Sequence, residues 1–146
     1  MGLMEVRFDH QYRDDLGVYE VVPQVDGVPL TELIDRFEAS AGMRPAGDAY
    51  GGLIPRFYRF GPMADHFLGR SVGAKTPLLG CDCGEWGCWP LLARITVTPA
   101  VVTWDAFEQP FRPTRGYTTF GPFEFARPQY DLALADLSRA IDSEPS

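Results

Sequence analysis

Cys81, Cys83 and Cys88 are the only cysteines of the chain and fall within eight residues of one another. A thiolate is both a nucleophile and a soft metal ligand, so three of them this close have to be read together. A run from Pro77 to Cys83 patterned as a strand, a Gly84–Gly87 turn and a second strand from Cys88 would form a hairpin. On such a strand Cys81 and Cys83 point to one face, while Asp82 points to the other. The register then sets Cys83 opposite Cys88 and Cys81 opposite Pro90, so three sulfurs converge at one end of the hairpin. Zinc takes about four tetrahedral ligands with Zn–S near 2.3 Å, so a fourth donor is needed. His66 is the first candidate and His10 the second, which makes the expected metal set Cys81, Cys83, Cys88 and His66, with zinc as the ion. Two other uses of the thiols remain open. They are small buried hydrophobes beside Trp86 and Trp89, or Cys83 and Cys88 form a strained, easily reduced cross-strand disulfide. An odd cysteine number argues against a disulfide framework.

The remaining chemistry-bearing residues are sparse. Asp9-His10 and Asp65-His66 are adjacent pairs, and neighbours on a strand face opposite ways, so neither dipeptide is itself a catalytic pair. A Cys–His–Asp site would need His66 beside Cys83 or Cys88, which nothing in the spacing demands. Gly51-Gly52 and the glycines around Cys81 follow no dinucleotide or phosphate-loop order. Trp104, Phe107, Phe111, Tyr117, Phe120, Phe123 and Phe125 read first as the core of a small sheet and second as a recognition surface. Arg112, Arg115 and Arg127 lie among them, placed to bind an acidic ligand or only to pair with Asp105 and Glu108 and stack on rings.

The elements that must position these residues are legible in part. Asp26-Gly27 predicts a tight hairpin turn into Val28-Pro29-Leu30. Thr31 is read as the N-cap of a helix over about 31–41, with Leu33, Ile34, Phe37 and Ala41 at helical spacing and Gly42 as its stop. Residues 43–62 read as a long loop with at most a short strand near Phe57–Phe60, and Met63–Leu68 as one or two helical turns closed by Gly69. Residues 76–107 predict a three-stranded antiparallel meander, followed by a short aromatic strand within 120–125. Pro128 opens a helix over about 128–141, in which Tyr130, Leu134, Leu137 and Ile141 share one face. The expected fold is a single α+β domain with a largely antiparallel sheet.

Composition narrows the class. The chain has 146 residues, 45% of them hydrophobic and 13% aromatic, enough to build a core. Twenty acidic against thirteen basic residues give a formal charge of −7, with no basic stripe, so nucleic acid is not an expected partner. Twelve of the basic residues are arginine, an excess that fits a GC-rich bacterial genome. No apolar run approaches the about twenty residues of a membrane span, and Glu5, Arg7 and Asp9 sit where a secretory segment would be apolar, so a cytoplasmic location is expected.

The run Leu78-Leu-Gly-Cys-x-Cys-Gly-x-x-Gly-Cys-Trp-Pro-Leu91 is followed by Ile95-Thr-Val, Val102-Thr-Trp104, Phe107-x-Gln-Pro110 and Gly121-Pro-Phe-x-Phe-x-Arg-x-Gln-Tyr130. This pattern resembles a set of uncharacterised bacterial proteins of similar length. The resemblance extends to Val25–Leu30 and Gly52–Pro55. In that set a histidine commonly follows the Gln-Pro pair, where this chain has Phe111. The resemblance implies no activity, ligand or cofactor. The sequence by itself favours a non-enzymatic binding or interaction module, with an acidic surface suited to a protein partner of basic surface. One version is an immunity-type protein against a basic toxin, for which Gly52–Tyr58 holds a loosely similar Leu-Pro-x-x-Tyr element. The alternative is a cysteine-dependent redox or zinc protein built on Cys81, Cys83 and Cys88. The pattern specifies no oligomeric state.

Overall fold

A computed structural model describes residues 2–43, 50–57, 61–70, 73–85 and 87–145. Its strands are β1 (Val6–Arg13), β2 (Val18–Val25), β3 (Val28–Pro29), β4 (Tyr50–Gly51), β5 (Thr76–Cys81), β6 (Leu91–Val97), β7 (Val101–Glu108) and β8 (Phe123–Ala126). Three helices join them: α1 (Leu30–Ser40), α2 (Met63–His66) and α3 (Arg127–Asp142). The strands form two antiparallel sheets, ordered β1-β2-β3 and β4-β5-β6-β7-β8. The fold is α+β, and the expected meander is the β5-β6-β7 centre of the larger sheet.

Alternation of apolar and polar residues explains the hairpins. In β7, Val102, Trp104 and Phe107 are buried while their neighbours are not, and β8 buries Phe123 and Phe125 in the same way. Asp26 and Gly27 both have positive φ and connect β2 to β3 through a two-residue turn. Pro23 lies in the middle of β2, where a missing N–H would usually break a ladder. It pairs with Phe8, two positions along from Val6, whose N–H turns away from β2 to Gln129 Oε1. Pro23 therefore directs its nitrogen to the other edge of β2. On that edge Val21 bonds Leu53, and β3 begins to pair only at Gln24, so the ladder needs no donor from Pro23.

Helix ends depart slightly from expectation. The first helix begins at Leu30, with Pro29 at the N-cap position and no side-chain cap, so Thr31 lies inside the helix rather than capping it. Its end is as expected: Gly42 N–H bonds Ala39 O and Met43 N–H bonds Glu38 O, a paired C-terminal closure. In α3, Pro128 stands in the first turn as anticipated. Phe57 belongs to a short 3-10 turn over Pro55–Phe57, not to a strand, and residues 58–60 lie outside the described residues, as does Tyr58 of the Leu-Pro-x-x-Tyr element.

The core is aromatic. Phe67, Trp104, Phe125 and Tyr130 are fully buried, and Phe8 packs on Phe67 with ring centroids 4.4 Å apart. Polar atoms inside are paired in series: Trp104 Nε1 donates to Tyr130 Oη at 3.1 Å, and Tyr130 O–H donates to Phe67 O at 2.5 Å. That chain ties β7 and α3 to the residue that follows α2. Each fully buried aromatic contributes about 1.5–3 kcal/mol by removal from water. The aromatic series read from the sequence is thus mostly core, with Phe111 exposed.

Candidate metal centre

The three cysteines lie at the end of β5 and on the connection that leads into β6. Leu79 pairs with Leu91, so residues 82–90 form the connection, and the tight Gly84–Gly87 hairpin with Cys83 facing Cys88 is not formed. Cys81 instead pairs with Tyr50 of β4. A register shift between Pro77 and Leu79, which plain strand alternation does not anticipate, accompanies the change. Convergence survives by another route. The three Sγ atoms all lie within 4.8 Å of one another.

Backbone hydrogen bonds shape this turn. Cys81 N–H bonds Glu85 O at 3.1 Å, Gly84 N–H bonds Cys81 O at 2.9 Å, and Cys88 N–H bonds Glu85 O at 3.3 Å. Cys83 N–H donates to Cys81 Sγ at 3.4 Å, a contact that stabilises negative charge on sulfur. Gly84 has φ +100, a conformation that L side chains rarely adopt, so the turn favours glycine there. Gly51 matters for a different reason: a Cβ would meet Asp82 Cα at 2.9 Å, blocking the approach of β4 to Cys81.

All three thiols are free, with Cys83 and Cys88 exposed and Cys81 half-buried. They are therefore not the buried hydrophobes of the simplest sequence reading, because a turn beyond the strand end carries them to the surface. Trp86 lies outside the described residues. Burial pushes the Cys81 thiol up to about 12, while a hydrogen bond from Cys81 holds Cys83 below the ordinary thiol range. The set is thus one exposed sulfur inclined to be thiolate beside one that keeps its proton. Three sulfurs bound to one ion at about 2.3 Å stand about 3.8 Å apart, so side-chain rotation of about 1 Å closes the set. The three cysteines can hold a metal ion.

The expected fourth ligand lies elsewhere. His66 is 1% exposed and its Nε2 donates to Pro77 O at 2.6 Å, inside the core and edge-on to Phe67. Pro77 is four residues up β5 from Cys81, about 13 Å along a strand. Burial pulls the His66 pKa down to about 4, so the ring is neutral at pH 7. His10 is also engaged, 2.6 Å from Glu144 Oε2 and stacked on Tyr19. Among the described residues, no histidine or carboxylate joins the three sulfurs within their mutual spacing.

Asp82 lies on the turn rather than on a strand face as expected, is exposed, and meets Arg13 Nη2 at 3.5 Å. Arg13 also binds Asp15 and the buried Glu20, at 2.5 and 3.1 Å, and these carboxylates hold its pKa above the usual guanidinium range despite the cost of burial. Glu20 in turn accepts from Gly52 N–H at 2.9 Å. Next to the turn this network floors an open polar cleft of about 550 Å³.

A second polar group sits behind Trp89. Glu38 is fully buried and accepts from Arg115 Nη1 at 3.1 Å and from Tyr117 O–H at 2.7 Å. Arg112 lies over the Trp89 ring at 4.4 Å, and Arg94 and Lys75, not the anticipated arginines, pair with Asp105 and Glu108. Arg127 pairs with Asp131. The sequence reading passed over Glu38, although it continues the buried stripe of Leu30 and Ile34 at four-residue spacing.

No helix among the described residues is long and apolar enough to cross a membrane. Comparison of the chain with protein-family models, with curated proteins and with solved structures produced no match.

Proposed function

We propose that this chain is a thiolate metal-binding module, with Cys81, Cys83 and Cys88 as the ligands and zinc as the first ion to test. The observation that carries this reading is the convergence of three free sulfurs within 4.8 Å on one backbone-bonded turn, two of them exposed. An interaction module acting through an acidic surface rests on charge and composition, which many soluble proteins share. The sulfur geometry is more specific. Soft thiolates select zinc, copper(I) and similar ions over magnesium or calcium. Binding would release protons, the most reluctant being that of Cys81.

Cobalt(II) is the spectroscopic probe of this site. Titrating the reduced protein is expected to produce thiolate-to-cobalt charge-transfer absorption that saturates at one ion per chain and is displaced by zinc. The absorption should be lost in Cys83→Ser and Cys88→Ser. A wild-type protein with no such absorption, and with all three thiols reactive in excess zinc, would refute the proposal.

A further inference from the structure

From the three-sulfur geometry we infer that the site is built for a three-coordinate, trivalent thiophilic ion of the arsenite class. This deepens the thiolate-site reading above and rests on it.

Donor count comes first. Three sulfurs converge, and among the described residues no histidine or carboxylate completes a tetrahedron with them. His66 is held in the core on Pro77 O, and Asp82 is turned to Arg13. Among the described residues none is in place as a fourth ligand for zinc, which would then take it from solvent at an exposed turn. Trivalent arsenic is complete with three sulfurs in a trigonal pyramid, and its lone pair occupies the open side.

Charge points the same way. Three thiolates balance a trivalent ion, whereas a divalent ion leaves one negative charge. The turn offers little to offset that charge: Asp82 and Glu85 are exposed acids on the same connection, and Arg13 is already shared among Asp15, Glu20 and Asp82.

The binding step balances without a further reactant. Arsenous acid condenses with three thiols: As(OH)₃ and three Cys–SH give As(S–Cys)₃ and three waters. Three As–O and three S–H bonds break, three As–S bonds form, and no electron is transferred. Each leaving hydroxyl takes up one thiol proton.

The test titrates the full-length reduced protein with sodium arsenite and, in parallel, with zinc. Bound arsenic, remaining free thiols and the arsenic X-ray absorption shell are measured. The expected result is one arsenic per chain, three thiols masked and three sulfur neighbours without a lighter ligand. Each of Cys81→Ser, Cys83→Ser and Cys88→Ser should weaken arsenite by at least about 100-fold, the upper end of what losing even an outer-shell partner costs a metal site. Cys83 and Cys88 are exposed, so their variants keep the test valid if Cys81→Ser unfolds. Arsenic masking only two thiols, or a serine variant holding arsenite within about threefold of wild type, would overturn the inference. In that event, zinc bound at one per chain through all three sulfurs leaves the thiolate-site proposal standing. Failure of both ions removes the proposal and the inference together.

Discussion

The Cys81–Cys88 turn and the interior around His66 and Glu38 both hold groups able to bind ions, and they treat them in opposite ways. In the interior His66 is bonded to Pro77 O, and one carboxylate oxygen of Glu38 to Arg115 and Tyr117. On the turn two sulfurs are open to solvent, and the backbone rather than packing holds them together. Burial favours such pairing, because an unpaired buried polar group costs about 1–3 kcal/mol, although the second Glu38 oxygen, Oε1, is buried with no hydrogen bond among the described residues. Exposure removes that pressure and leaves ligands available. Reactive residue types in the core of this chain are therefore structural, and those on the turn are the ones to test for function.

The largest effect that would sharpen this contrast comes from Glu38. Replacing it with alanine removes the buried carboxylate that Arg115, whose side chain is 8% exposed, and Tyr117 both bond, so a loss of about 3–5 kcal/mol is expected in urea unfolding. Zinc stoichiometry should not change in the protein that still folds. A loss below about 1 kcal/mol would show that the pair is not structural.

His66 gives a pH signature. Its folded-state pKa is depressed from 6.5 to about 4 by burial. Below 6.5 the unfolded chain binds the proton and the folded chain does not. Stability from this group is therefore complete above that pH and falls as pH drops toward 4. The loss is about 3 kcal/mol over that window. A His66→Gln variant should lack this component when urea midpoints are compared at both ends of the window, while binding zinc as wild type does. Loss of zinc with intact folding would bring His66 into the site.

Thiol chemistry supplies a smaller contrast, within the turn itself. Cys83, exposed and held below the ordinary thiol range, should alkylate first with iodoacetamide, and Cys81 last. Peptide mapping after partial modification checks the order. Uniform rates would break the assignment of separate roles to the sulfurs.

The smallest expected effect is on the stability of the metal-free protein. Cys83→Ser changes one exposed atom and should shift the urea-derived stability by no more than about 0.5 kcal/mol. The same substitution should abolish metal binding, a separation that a residue of the core could not show.

How far all this was legible in the sequence depends on the range of the force concerned. The meander and the helices follow from local periodicity, and residues 76–107 and Arg127–Asp142 were read nearly in place. The cysteine spacing signalled convergence, but strand alternation carried through Cys83 gave the wrong register. The register shift and the pairing of Cys81 with Tyr50 are long-range facts that alternation does not encode. The place of His66 was open to a better reading. It follows Met63 by three residues and precedes Phe67, so it shares the buried face of α2, and buried histidines are paired. The partnership of Glu38 with Arg115 spans 77 residues and had no local signal beyond the helix stripe.

The central claim is that three sulfurs act as one ligand set. Its most direct test is metal analysis of the reduced, zinc-equilibrated, untagged protein, with free thiols counted before and after a chelator. The account predicts one zinc per chain, with the thiols of Cys81, Cys83 and Cys88 masked until the chelator is added and no denaturant needed. A folded protein that holds no zinc and whose Cys83 and Cys88 thiols react equally with and without it would contradict the account.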